Sequence, residues 1–146
     1  MRRTVLTVHI AASVGLLGDV AAVLAVNVRA ATAEDPAFAA AAYDLLEMFS
    51  LLFGIPLSLV ALASGILLGL GSKWGVLRHV WVAAKLALLL SVILVGALVM
   101  GPSTAAMREG DGGRETVLIA AAAYDVAVLA LATGLSVFKP RGRLRP

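Results

Sequence analysis

Four long apolar runs, at about 4–28, 46–71, 79–100 and 116–138, take up most of the 146 residues. No other feature narrows the possible folds as far. An apolar stretch of about 20 residues crosses a bilayer core of roughly 30 Å as a helix. A soluble chain of this size would have to cover itself with polar surface, and a mean hydropathy of +0.99 leaves too little to do so. The expectation is therefore an all-α protein, a transmembrane four-helix bundle. It forms a single integral membrane domain over 1–146, with no room for a second one. The first run is too long and too polar along its length for a signal peptide, and no clear small-x-small cleavage site follows it. Cysteine is absent, which excludes disulfides and thiol chemistry.

The positions of the charges give the orientation. Arg2 and Arg3 precede the first run, Lys73 and Arg78 separate the second from the third, and Lys139, Arg141, Arg143 and Arg145 follow the fourth. The two other connections mix Arg29, Arg108 and Arg114 with Glu34, Asp35, Glu109, Asp111 and Glu115. Eight basic residues on one side against three on the other place both termini in the cytoplasm of a multi-pass cell-membrane protein. The net charge of +3 thus points to anionic lipid and not to nucleic acid, and the partner expected first is the lipid bilayer.

Asp35-Pro36 reads as an N-cap followed by proline at the first helical position. Helical composition then continues over 36–70, about 52 Å of helix, so 36–46 should extend beyond the apolar core. Pro56 should kink or break the second span. Gly54, Ser58, Ala61, Gly65 and Gly69 recur every three or four residues, which suits close helix packing in lipid. Residues 71–75 should form a short turn, with Trp74 and Trp81 in an aromatic belt. Pro102 and the glycines of 110–113 read as an external loop, with one helical turn around 104–108. The hexapeptide AAAAYD occurs at 39–44 and again at 120–125. A duplication matching spans one and two to three and four would account for it.

Four charged residues break the pattern: Asp19, Lys85 and Asp125 inside runs, and Glu47 at the mouth of one. A charge in a span costs several kcal/mol and normally turns toward the bundle or a cavity. His9, Ser13, Asp19 and Asn27 share about 120° of arc on the first helix, so that face should point inward. Counting residues puts His9 and Lys85 roughly 7–8 Å below the cytoplasmic face, and Asp19 and Asp125 about 20 Å from it. Glu47 and Tyr43 should crown the external side. At its depth Lys85 is able to snorkel to the headgroups, and His9 suits helix packing as well as ligation. The acids lie too deep to snorkel. Two acids in an apolar medium either pair in neutral, hydrogen-bonded form or serve a proton relay or a small-ligand site.

No copper site is expected, since Met1, Met48, Met100 and Met107 are scattered. His79 lies roughly 9 Å shallower than His9, a poor match for bis-histidine haem. A single-histidine haem b on His9, with Lys85 as second ligand or propionate partner, stays open. No nucleophilic triad, phosphate loop or zinc motif is present.

Two stretches carry a resemblance. Residues 8–22, VHIAASVGLLGDVAA, and 71–90, GSKWGVLRHVWVAAKLALLL, resemble the signatures of a family of small actinobacterial integral membrane proteins of unknown function. That family is distantly similar to copper-resistance-D-like membrane proteins. Their superfamily includes a haem-associated protoporphyrinogen oxidase with an early histidine on its first helix and a lysine on its third. His9 and Lys85 are the matching positions, so the resemblance implies the fold and draws attention to that pair. The chain departs at Leu17, where the family often has tryptophan, and it lacks the copper-handling methionines and histidines.

Three functions follow as expectations. The first is a non-enzymatic membrane protein binding a small ligand or partner through His9, Asp19, Lys85, Asp125 and Glu47, without a metal or other cofactor. The second is a haem-associated redox protein using His9 and Lys85. The third is a proton-coupled transporter half-unit using Asp19 and Asp125. At this length the transporter requires a homo-oligomer.

Overall fold

The computed structural model describes residues 2–71 and 79–138. The expected turn at 71–75, Trp74 and the basic residues Lys73, Arg78, Lys139, Arg141, Arg143 and Arg145 fall wholly or partly outside them. Four helices long and apolar enough to cross a membrane make up the described chain: Arg2–Ala31, Pro36–Leu70, Val80–Arg108 and Glu115–Phe138. It is a four-helix membrane bundle. Large apolar side chains such as Leu51, Leu67, Leu98 and Leu131 face outward, as expected where the solvent is hydrocarbon.

The first span is one helix, α1 (Arg2–Ala31). The second begins as α2 (Pro36–Phe49), whose first turn is capped where the sequence indicated: the Ala37 N–H donates to Asp35 Oδ1 at 2.9 Å, and Pro36 follows the cap. Pro56 does not break this span. Instead the helix widens into a π turn, Ser50–Gly54, and continues as α3 (Ile55–Leu70). The third span does the same: α4 (Val80–Val95) widens at Gly96–Met100 just before Pro102 and continues as α5 (Gly101–Arg108). It therefore runs past residue 100, and Pro102 lies within helix, not in a loop. In both cases a proline cannot accept the ordinary α register, because it lacks an N–H and its ring crowds the preceding turn. The wider turn absorbs it without ending the helix. The connection that follows α5 turns on Gly110 and Gly113, at φ 86° and 91°, a conformation that side chains with a Cβ rarely adopt.

The final helix, α6 (Glu115–Phe138), runs antiparallel to α1. Two apolar clusters show this. At the distal end, where the 32–35 and 109–114 loops sit, Val23 and Ala30 of α1 meet Leu118 and Ala122 of α6, with Ala42, Tyr43 and Leu46 of α2. Nearer the proximal end, which carries Arg2 and Phe138, Leu16 and Val20 meet Val128 and Leu129, with Val92 of α4. α1 and α6 thus form the centre of the bundle, while α4 buries Val92 alone.

The hexapeptide echo does not mark equivalent positions. At 39–44 the tyrosine is buried and the aspartate exposed; at 120–125 Tyr124 is exposed and Asp125 buried. Adjacent residues on a helix point about 100° apart, so the two copies face the core with opposite members of the pair.

Candidate functional site

α1 carries three of the polar groups that matter, and each meets a different surrounding. His9 packs on α3. Its Nδ1 lies 3.1 Å from the Ala61 carbonyl oxygen and 3.0 Å from Ser64 Oγ. The Ser64 hydroxyl itself donates to the Val60 carbonyl. The Ala61 carbonyl only accepts, so Nδ1 is the ring nitrogen that donates to it. Gly65 makes the close approach possible, since a Cβ there would sit 3.1 Å from His9 Cε1. Lys85, half-buried on α4, lies within electrostatic reach of the imidazole.

Asp19 faces the first π turn. Its Oδ2 lies 3.3 Å from where a Cβ of Gly54 would be, and its Oδ1 is sealed from solvent with no hydrogen-bond partner. Further along α1, the Asn27 side chain is 2 % exposed. Its Nδ2 donates to the Val23 carbonyl at 2.9 Å, while its Oδ1 has no partner.

Asp125, 2 % exposed, sits on the face of α6 between Leu118–Ala122 on one side and Val128–Leu129 on the other. It separates the two apolar clusters, and its Oδ1 also has no partner. Asp19 and Asp125 do not form the hydrogen-bonded pair that equal depth suggested. Asp19 turns toward α3, whereas Asp125 occupies the seam between the clusters. Counting residues fixes depth along an axis and says nothing of rotation about it. Next to Asp125, Tyr124 points the other way and donates to Ser91 Oγ of α4 at 2.9 Å.

The family comparison agrees with this architecture. The pattern of DUF2269, predicted integral membrane protein, matches residues 3–139. The chain belongs to that family. Searches of curated proteins and of solved structures return no match. Membership in DUF2269 and the four apolar helices together describe an integral membrane protein.

Glu47 belongs to a separate group at the distal end of this DUF2269 chain. Arg108 of α5 donates through Nε to Asp44 at 2.6 Å and pairs through Nη1 with Glu47, tying the second span to the third. The sequence marks Glu47 as a candidate site residue but gives Arg108 no role beyond loop charge, because their separation along the chain hides the pairing. Among the described residues no three histidines, cysteines or acids gather to hold a metal. The interior side-chain atoms left unsatisfied among those residues, on Asp19, Asn27 and Asp125, are all oxygen acceptors. Each costs free energy in an apolar interior until a donor reaches it.

Proposed function

We propose that the bundle is a non-enzymatic membrane protein that binds a small cationic or hydrogen-bond-donating ligand at one or more of Asp19, Asn27 and Asp125. One observation carries this reading: three buried side-chain oxygens on α1 and α6 lack any donor. Folding tolerates such orphans rarely, and buried acceptors without donors ask for a ligand of the opposite polarity. With the termini cytoplasmic, as the basic residues favour, Asp19 and Asp125 lie in the outer half of the cell membrane. The test is native mass spectrometry of the chain released from mild detergent. The wild type should retain a small-mass adduct that Asp19→Asn, Asn27→Leu or Asp125→Asn loses. If wild type and variants all appear bare, the reading fails.

A second reading is a haem-associated redox protein, with the copper-resistance-D-like resemblance behind it. Its support is the anchoring of His9: a ligating histidine normally donates its other ring N–H to a carbonyl or carboxylate, as Nδ1 does to Ala61. His9 would supply one axial ligand through Nε2, and Lys85 would serve as second ligand or propionate partner. Haem would bring one-electron redox chemistry, while the protein fixes the imidazole's tautomer and orientation. Absorbance after expression with haem supplied tests it: a Soret band lost in His9→Ala is expected, and no band in the wild type overturns it.

A further inference from the structure

The first π turn brings a backbone carbonyl close to the carboxyl of Asp19. A Cβ on Gly54 would lie 3.3 Å from Asp19 Oδ2 and 3.9 Å from the Phe49 carbonyl oxygen. These two oxygens therefore flank a spot that any residue other than glycine would fill. The second carboxyl oxygen, Oδ1, is buried and unpartnered. The turn also departs from the α register. The Ile55 N–H is taken by the Ser50 carbonyl, five residues back. Pro56 has no N–H. The Leu51 carbonyl is thereby left without either donor its own helix would offer.

No side chain on residues 50–70 is charged, so the turn and α3 present only carbonyls and hydroxyls to Asp19. Both hydroxyls of α3 are committed, Ser58 to the Ile55 carbonyl and Ser64 to that of Val60. The titratable groups on α6 and α2 are the acids Asp125 and Glu115, the acids Asp44 and Glu47 held by Arg108, and the phenols Tyr124 and Tyr43. On α1 itself, His9 lies about three turns toward the proximal end with Lys85 beside it.

We propose that Asp19, the Phe49 carbonyl and the π turn Ser50–Gly54 form a binding site for one small monovalent cation, a proton or Na⁺. The proposal rests on the ligand-binding reading above and names its ligand at one of the three acceptors. Hard oxygen donors suit such ions. One positive charge against one carboxylate leaves the apolar interior neutral, whereas a divalent ion would leave it charged. Gly54 keeps the space open, and Pro56 keeps the turn from closing into the α register.

The experiment tracks the thermal unfolding midpoint of the full chain in mild detergent. NaCl replaces choline chloride at constant ionic strength in one arm, and the buffer is acidified in choline chloride in the other. A bound cation stabilises the folded state by mass action. A sodium site gives a midpoint that climbs with each tenfold increase in Na⁺; a proton site responds only in the acid arm. The Asp19→Asn variant is expected to lose the response and Gly54→Ala to lose at least about half of it, because the added methyl occupies the spot. Gly18→Ala, whose methyl meets no atom within 4 Å, should keep it. A wild type that responds in neither arm overturns the proposal, as does an Asp19→Asn variant that responds like the wild type. Should Gly54→Ala not fold, Asp19→Asn decides alone, since the amide is isosteric with the acid. A missing response in a wild type that still carries its native-mass adduct overturns this site and leaves the broader reading standing; loss of both overturns both.

Discussion

Gly65 of α3 lies so close to His9 of α1 that a single methyl on the glycine would sit 3.1 Å from the imidazole Cε1. The same edge of the ring meets the Ala61 carbonyl, one turn back on α3, at 3.1 Å from Nδ1. Helix–helix association in lipid relies on packing of this kind, because apolar contact alone gives no preference for protein over lipid. The small residues of α3 are thus a surface shaped for the polar side chains of α1: Gly65 for His9 and Gly54 for Asp19.

Gly65→Ala should destabilise the bundle by about 1–3 kcal/mol through overpacking against the ring. Gly18→Ala, with no atom within 4 Å of its new methyl, should be neutral or stabilise by about 0.5–1 kcal/mol from helix propensity. Reversible unfolding in mixed micelles measures both, and equal losses would refute the packing account.

Replacing Asp125 by leucine should raise stability. The carboxyl is 2 % exposed and one oxygen has no partner, so an apolar side chain of similar size removes a desolvation cost of about 1–3 kcal/mol. The same unfolding measurement checks the sign. A gain in stability combined with loss of the bound adduct would mark the acid as kept for binding.

Arg108→Ala should loosen the distal end with little effect on the rest. Its pairs with Asp44 and Glu47 are exposed to solvent, where such contacts are weak and screened by salt. Hydrogen exchange should quicken in α2 and α5 at low ionic strength, and the difference from wild type should shrink in high salt. An unchanged difference would mean the arginine acts by packing.

Asp35→Ala should cost about 1 kcal/mol, since the Ala37 N–H loses its acceptor. The loss should appear as fraying confined to the first turn of α2 by hydrogen exchange, with Asp35→Ser restoring most of the protection.

Features whose cause is local were legible in the sequence. Asp35 and Pro36 specify a helix start through contacts within three residues, and the cap is found there. The stripe from Gly54 to Gly69 was recognisable as a close-packing face. Features set by phase were not. Pro56 and Pro102 both signalled helix interruption, yet each is absorbed by a π turn, which takes neighbouring helices to stabilise in lipid. The repeated AAAAYD suggested equivalence, although its two copies present opposite residues to the core. Arg108 gave no sign of its partners, which lie on another span.

The sequence by itself determined the solvent, the number of spans and the order of the polar residues along each helix, because hydropathy and rise per residue are one-dimensional quantities. Only the tertiary structure decided which atoms those residues meet. Rotation about each helix axis depends on how all four helices pack, and each π turn shifts the phase of the helix beyond it. Asp19 and Asp125, matched in depth by residue counting alone, therefore end in different places: one against the backbone of the first π turn, the other in the seam between two apolar clusters.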